Sequence, residues 1–204
     1  MKELLEKYNT LLVEKNKVLN LTAHKTEEES WRGNIQDSLL FDISGRGRML
    51  DLGSGCGCPA IPLKIAMPHL SVTMVDSVRK KVEFLNEVVK ALALENIRAI
   101  HTRIEDFAER EMFDIVTARA VAPLPTLVEY ALPFLKVGGR LLAFKGSKWQ
   151  DEIDASANAL KILGGHVKEV KIHSESRSLV IIEKTKPTDK KYPRGKNLPR
   201  LKPL

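Results

Sequence analysis

The run LDLGSGCGCPAIP, from Leu50 to Pro62, decides the fold. Gly53, Gly55 and Gly57 follow directly on the apolar run Met49–Leu52. Glycines there let the backbone turn sharply at the carboxyl end of a first strand and meet a ligand with no Cβ in the way. A dinucleotide fingerprint would need a third glycine at position 58, which holds Cys58, and a phosphate-binding loop would need a Gly-Lys-Ser/Thr run that is missing here. What remains is acidic-x-G-x-G-x-G led by Asp51. A carboxylate in that place suits a cationic cofactor, and S-adenosylmethionine is one, through its sulfonium and α-amino groups.

Outward from this loop, short apolar runs alternate with amphipathic stretches, the pattern of βαβ units and a parallel sheet. Strands are expected at Met49–Leu52, Val72–Val75, Ile97–His101, Phe113–Ala118, Arg140–Phe144, His166–His173 and Ser178–Glu183. Between them the spacing predicts helices from about Pro59 to Pro68, Val78–Leu92, Thr126–Leu135 and Trp149–Leu163, with a turn at Gly138-Gly139. Only a short turn separates the last two strands, so they must pair antiparallel. The expected architecture is α/β: a Rossmann-like, mostly parallel seven-stranded sheet with a terminal antiparallel hairpin, the class I S-adenosylmethionine-dependent methyltransferase plan. Ahead of it, residues 1–42 read as helical, from the stripe Leu4, Leu5, Tyr8, Leu11, Leu12 and a second helix started by the capping box Thr26/Glu29.

Asp76 ends the second predicted strand, 23 residues after Gly53. A carboxylate there can accept both ribose hydroxyls, and it can equally cap the helix that follows. After the third strand, Ile104 and Glu105 offer an apolar surface and a carboxylate, suited to an adenine face and its exocyclic amine, or else to a surface turn. The place after the fourth strand holds Ala118-Arg119-Ala120-Val121, not the Asn/Asp-Pro-Pro-aromatic loop of exocyclic-amine methylation. Both cysteines, Cys56 and Cys58, lie in the cofactor loop, so neither is placed as a nucleophile for carbon methylation, and without a nearby His they fall short of a zinc site. No general base stands out. An acceptor with a free lone pair, such as a purine ring nitrogen, would need none.

Of 33 basic and 26 acidic residues, eight and one fall in Lys184–Leu204, leaving 25 of each in the rest of the chain. A neutral globule with a basic, Pro-rich tail reads as a catalytic body carrying an extended, polyanion-seeking arm, or as a solvated tail without a partner. The expected division is residues 1–42 as a helical segment, 43–183 as the methyltransferase domain and 184–204 as the tail. With two cysteines and no long apolar run, a cytoplasmic protein without membrane or metal is expected.

Further motifs in order along the chain are Leu19-Asn20-Leu21-Thr22-Ala23, Asp37-Ser38, Pro59-Ala60-Ile61-Pro62, Val75-Asp76-Ser77, Thr117-Ala118-Arg119-Ala120-Val121-Ala122, Lys145-Gly146, Tyr192-Pro193-Arg194 and Lys202-Pro203-Leu204. With the Gly loop, they resemble the glucose-inhibited division protein B family, which makes 7-methylguanosine in bacterial 16S ribosomal RNA, over nearly the whole chain. The resemblance implies that Gly53, position 58, Ile104, Glu105 and Arg119 contact S-adenosylmethionine, and that the partner is 16S ribosomal RNA or the small ribosomal subunit, bound by a monomer. Two departures stand out: Cys58 where the family commonly has Phe, and Asn34 where it has His. The candidate cofactor set is thus Asp51, Gly53, Gly55, Cys58, Asp76, Ile104, Glu105 and Arg119. Candidate RNA contacts are Lys64, Lys145, Lys148, Arg194, Lys196 and Arg200, and Arg119 and Lys145 are the candidates for a catalytic part. Low aromatic content, 5%, argues against a stacking platform for RNA. The competing readings are a methyltransferase of a small molecule or protein, which has no use for the basic tail, and a non-catalytic RNA-binding assembly factor, against which the intact cofactor motif speaks.

Overall fold

The computed structural model of the chain describes residues 1–41 and 47–204. Helix α1 (Lys2–Leu19) buries Leu5, Tyr8 and Leu12 along one face and stops at Asn20, whose left-handed backbone (φ 49) ends the helix. Helix α2 (Glu27–Ser30) starts at the capping box read from the sequence: the Thr26 hydroxyl accepts from the Glu29 N–H, and the Glu29 carboxylate accepts from the Thr26 N–H, both at 3.2 Å. It then widens into a π-helical turn, Trp31–Gln36, before α3 (Asp37–Leu39). The apolar stripe of this segment does not announce that turn. The expected boundary at residues 42 and 43 lies outside the described residues.

The chain continues through β1 (Arg48–Leu52), α4 (Ala60–Ala66), β2 (Ser71–Asp76), α5 (Arg79–Ala91), β3 (Ile97–His101), β4 (Phe113–Arg119), α6 (Leu124–Ala131), β5 (Leu135–Lys145), α7 (Trp149–Ala155), α8 (Ala157–Leu163), β6 (Gly165–Ser174) and β7 (Arg177–Lys184). The strands form one sheet in the order β3-β2-β1-β4-β5-β7-β6. The first five run parallel, and β7 lies antiparallel to both β5 and β6. This is the Rossmann-like class I methyltransferase sheet. Alternation along β1 sends Leu50 and Leu52 into the core beneath α6 and α8, and Met49 into the core beneath α1, α4 and α5. By the same alternation Asp51 shares the face of Met49, and it is buried. After β1 the chain moves toward β2 and after β4 toward β5, so the loops diverge and leave a crevice at the carboxyl ends of these two strands.

Three expectations need correcting. The single helix over Trp149–Leu163 is two, broken at Ser156, whose hydroxyl donates to the Glu152 carbonyl at 2.6 Å and competes with the backbone ladder. The helix expected over Thr126–Leu135 starts at Leu124 and gives way after Ala131 to a tight turn over Leu132–Phe134, because Pro133 has no N–H to continue it. Strand β5 starts before Gly138-Gly139 and continues past them, with Gly138 at φ 84 and a shift in its pairing with β4, so the expected turn is a bulge within the strand. The third correction is the tail. Lys184 is fully buried as the last residue of β7, its ammonium donating to Glu111 at 2.7 Å and to the Leu135 carbonyl at 2.8 Å. Beyond it, Tyr192 and Pro193 are buried, Arg194 pairs with Glu129, and a short helix, α9 (Leu198–Leu201), sits against α6. The prolines do bar a long helix, but the tail has apolar surface to bury, and the fully buried Glu129 requires a cation beside it.

Loss of the capping box sets a stability test. Thr26→Ala is expected to lower unfolding free energy by about 1 kcal/mol, read as a lower urea midpoint at unchanged slope.

Candidate functional site

The crevice at the carboxyl edge of the sheet holds two clefts. The first, about 400 Å³, is lined by Gly53 from the Gly loop, Asp76 from the end of β2, Ile104 and Glu105 from the turn after β3, and Ala120 and Val121 after β4. The second, about 410 Å³, is lined by Asp37, Phe41, Arg119, Phe144, Lys145 and Arg177, and again by Ala120 and Val121. The two clefts therefore meet at Ala120-Val121. Ala120 adopts φ 56, a left-handed conformation that non-glycine residues seldom take and that collects at functional sites.

The Gly loop is held by Asp76. One carboxylate oxygen accepts the Gly55 N–H at 2.8 Å and the other accepts the Val78 N–H, also at 2.8 Å, at the start of α5. The helix-capping role and the cleft-lining role foreseen for Asp76 thus coexist, since each oxygen keeps a further lone pair for a ligand. Gly53 has φ 62, and a Cβ built on it would come within 3.1 Å of the Val121 side chain, where the clefts join. A side chain there would fill the cradle. On the far wall the Glu105 side chain is 5% exposed, paired with Arg103 at 3.2 Å and accepting the Asn197 N–H at 3.1 Å.

Asp51 lies beneath the loop. One oxygen accepts the Thr117 hydroxyl at 2.7 Å, while the other, fully buried, has no partner. Burial raises its pKa to about 6, against the lowering pull of the Thr117 and Ser54 hydroxyls. An orphaned buried carboxylate oxygen at a Gly loop is what a cationic cofactor group would satisfy. With the open Gly53 cradle, these residues fit S-adenosylmethionine.

Four of the candidate residues fall outside the lining of the first cleft, Asp51 beneath the loop being one of them. Gly55 is turned to Asp76. Cys58 is buried with its thiol 3.1 Å from the Tyr8 hydroxyl, which itself donates to the Cys56 carbonyl at 2.7 Å. The neighbouring Cys58 thiol pulls the Cys56 pKa down to about 7, with help from the charge of Arg119. Arg119 belongs to the second cleft, where it donates to the Gly33 carbonyl at 3.2 Å, Asp37 at 3.2 Å and the Asn34 side-chain oxygen at 3.3 Å. The Asn34 amide in turn donates to the hydroxyls of Thr22 and Ser30, so this residue knits the helical segment together. Arg177 shares Asp37 from the other side at 2.5 Å.

The proposed RNA contacts separate likewise. Lys64 is buried, donating to the carbonyls of Pro68 at 2.5 Å and Leu70 at 2.6 Å, so it closes the end of α4 and does not face a phosphate. Lys145 is 8% exposed and held by Glu152 at 2.6 Å and the Ala122 carbonyl at 2.9 Å. Arg194 is bound to Glu129. Lys148 and Lys196 are exposed. Arg200 is exposed, donates to the Val121 carbonyl at 2.8 Å and lines the first cleft. Sequence reasoning missed the second of these functions, and missed Asn197 and Tyr130 on the same wall, because nothing local ties residues 130 and 197 to a loop at residue 53. Among the described residues, no group of three His, Cys, Asp or Glu is placed to hold a metal ion, and no helix is long and apolar enough to cross a membrane.

A family model described as rRNA small subunit methyltransferase G matches residues 1–180. The ribosomal RNA small subunit methyltransferase G of Staphylococcus epidermidis is 42% identical over all of this chain and 90% of its own length. That of Chloroflexus aggregans is 45% identical, over 98% of this chain and 88% of its own. Among solved structures, M. jannaschii TYW2 in complex with AdoMet shares the fold at a TM-score of 0.60 and 17% identity, covering 74% of this chain and 75% of that one.

Two measurements test the site. Asp76→Ala is expected to weaken cofactor binding roughly ten- to hundredfold by calorimetry, the equivalent of about 1.5–3 kcal/mol for charge-assisted hydrogen bonds. Asp51 has a raised carboxyl pKa, so in the free protein it detracts from stability as pH rises from about 4 to 6, and the deficit persists above. A bound cation needs the ionised form. Affinity for S-adenosylhomocysteine, which keeps the α-ammonium, is therefore expected to rise about tenfold between pH 5 and 7, with proton release below about pH 6. Asp51→Asn should abolish that slope.

Proposed function

The chain belongs to the rRNA small subunit methyltransferase G family, and from that premise we propose how its two clefts divide the work. The activity is S-adenosylmethionine-dependent methylation of guanine N7 in 16S ribosomal RNA. The single observation that carries the division is the junction at Ala120-Val121: a donor cleft and a second cleft of similar size meet at this short segment, with Ala120 left-handed. The cofactor lies in the first cleft and the target guanine enters the second.

Bound S-adenosylmethionine supplies an electrophilic methyl group on sulfur. The chain's own residues bind and orient. Asp76 is placed for the ribose, Glu105 and Ile104 for the adenine, and Asp51 for cationic charge under the Gly loop. Guanine N7 presents a lone pair and carries no proton, so attack on the methyl carbon needs no base, and transfer rests on alignment. The second cleft agrees with this. Its Lys145 is occupied by Glu152, and its Asp37 is occupied by Arg119 and Arg177, so these groups are fixed as walls and not poised to take a proton. The Phe41 and Phe144 rings, 6.1 Å apart edge to face, give the cleft an apolar side for a base.

The reading includes a monomer that acts in the cytoplasm on RNA or on the small subunit particle. Exposed cations beside the clefts, Lys148 and Lys196 among them, and Arg177 at the mouth of the second, supply the phosphate contacts. Incubating the protein with 16S ribosomal RNA and labelled cofactor, then mapping methylated nucleosides by mass spectrometry, should yield 7-methylguanosine. Methyl groups recovered only in another nucleoside would overturn the assignment. Cys56→Ser is expected to keep kcat within about twofold, with no inflection lost near pH 7, because alignment and not a thiolate drives transfer.

A further inference from the structure

The carboxyl-terminal segment contributes a wall to the first cleft. Asn197 and Arg200 line it beside Tyr130, Glu105 and Asp76. The Asn197 N–H donates to Glu105, and the Tyr130 hydroxyl reaches the Asn197 side-chain oxygen at 3.4 Å. Arg200 donates to the carbonyl of Val121, on the segment where the clefts meet. Lys196 and Asn197 both have left-handed backbones, φ 56 and φ 58, so the chain turns sharply there and aims the Asn197 N–H at the cleft wall.

This turn is latched from below. Arg194 approaches the fully buried Glu129 in a two-pronged pair, Nε to one oxygen at 2.9 Å and Nη2 to the other at 2.6 Å, with the Arg194 N–H adding a third bond at 2.8 Å. Two further ties flank it: Arg110 donates to the Tyr192 carbonyl at 3.1 Å, and the buried Thr126 hydroxyl donates to the Pro199 carbonyl at 3.0 Å. A bidentate charged pair on a buried carboxylate fixes both position and orientation. The geometry so fixed serves the cleft, because the backbone beyond the latch, together with Arg103, holds Glu105.

We propose that residues 194–201 form a latched clamp that completes the cofactor cleft, with Asn197 and Arg200 as positioning residues for Glu105 and for the Ala120-Val121 junction. The clamp rests on the cofactor reading of the first cleft given above. It assigns to the basic tail a part in cofactor affinity, where charge alone would have made it an RNA-seeking arm.

Truncation after Gly195 tests the clamp while leaving the Arg194–Glu129 pair in place, so no buried carboxylate is orphaned. With circular dichroism showing the truncated chain folded, its Kd for S-adenosylhomocysteine and its KM for S-adenosylmethionine are expected to rise about tenfold or more, while kcat at saturating cofactor stays within about twofold. A merely structural tail would lower kcat with the folded fraction and leave KM alone. A cofactor Kd within about twofold of the full chain, with only the KM for RNA raised, would overturn the clamp and restore the RNA arm. The intact chain gives a second readout that does not depend on folding of a variant. S-adenosylhomocysteine should slow amide hydrogen exchange across residues 194–201 as well as in the Gly loop, and protection confined to the loop and residues 76–105 would likewise overturn the clamp. If the full-length protein neither binds S-adenosylhomocysteine nor gains protection in the Gly loop, the cofactor reading itself fails.

Discussion

The arrangement of this molecule depends on a half-buried guanidinium. Arg119 ends the central strand β4, at the point where the sheet changes direction, and its N–H groups need acceptors because they are largely withdrawn from water. They find them in the amino-terminal helices: the Gly33 carbonyl, the Asn34 side chain and Asp37. The π-helical turn supplies two of these three within two residues, because widening the helix frees a carbonyl from the usual ladder. A Cβ at Gly33 would displace the His24 ring packed against that turn. Together with Arg177, which also pairs with Asp37, Arg119 pins the helical segment over the Gly loop, where the Tyr8 hydroxyl meets the Cys56 carbonyl and the Cys58 thiol.

The opposite terminus obeys the same constraint with the charges exchanged. Glu129, fully buried in α6, needs a cation, and Arg194 supplies it from 65 residues away. Both termini are thereby drawn to the carboxyl edge of the sheet, one beside each cleft. Removing Arg194 would leave Glu129 as an uncompensated buried charge, a far larger penalty than loss of a surface pair. The edge that holds both clefts is thus also the edge where the termini are locked.

Electrostatics in the clefts reflect this locking. Most charges near the junction are committed to other protein groups: Lys145 to Glu152, Asp37 to two arginines, Glu105 to Arg103 and the Asn197 amide. Fixed dipoles and ion pairs need little reorganisation as a reaction proceeds, which suits a transfer that depends on alignment. Asp51 is the exception, with one buried oxygen unmatched beneath the Gly loop.

Elements whose signal is local could be read from the chain itself. The alternating apolar strands, the Gly loop with its leading Asp51, Asp76 closing β2, and the Thr26/Glu29 capping box all depend on residues within a few positions of each other, and the structure repeats them nearly residue for residue. The amino-acid sequence also set the net charge of the tail. What it did not determine is which charges stay free. Lys184 and Arg194 look in sequence like any surface cation, yet each is taken up by a carbonyl or a carboxylate inside the fold. Only the tertiary structure decides that, because the cost of burying a charge depends on whether a partner from a remote segment arrives at hydrogen-bond distance, and a separation of 65 residues leaves no periodic trace in the chain.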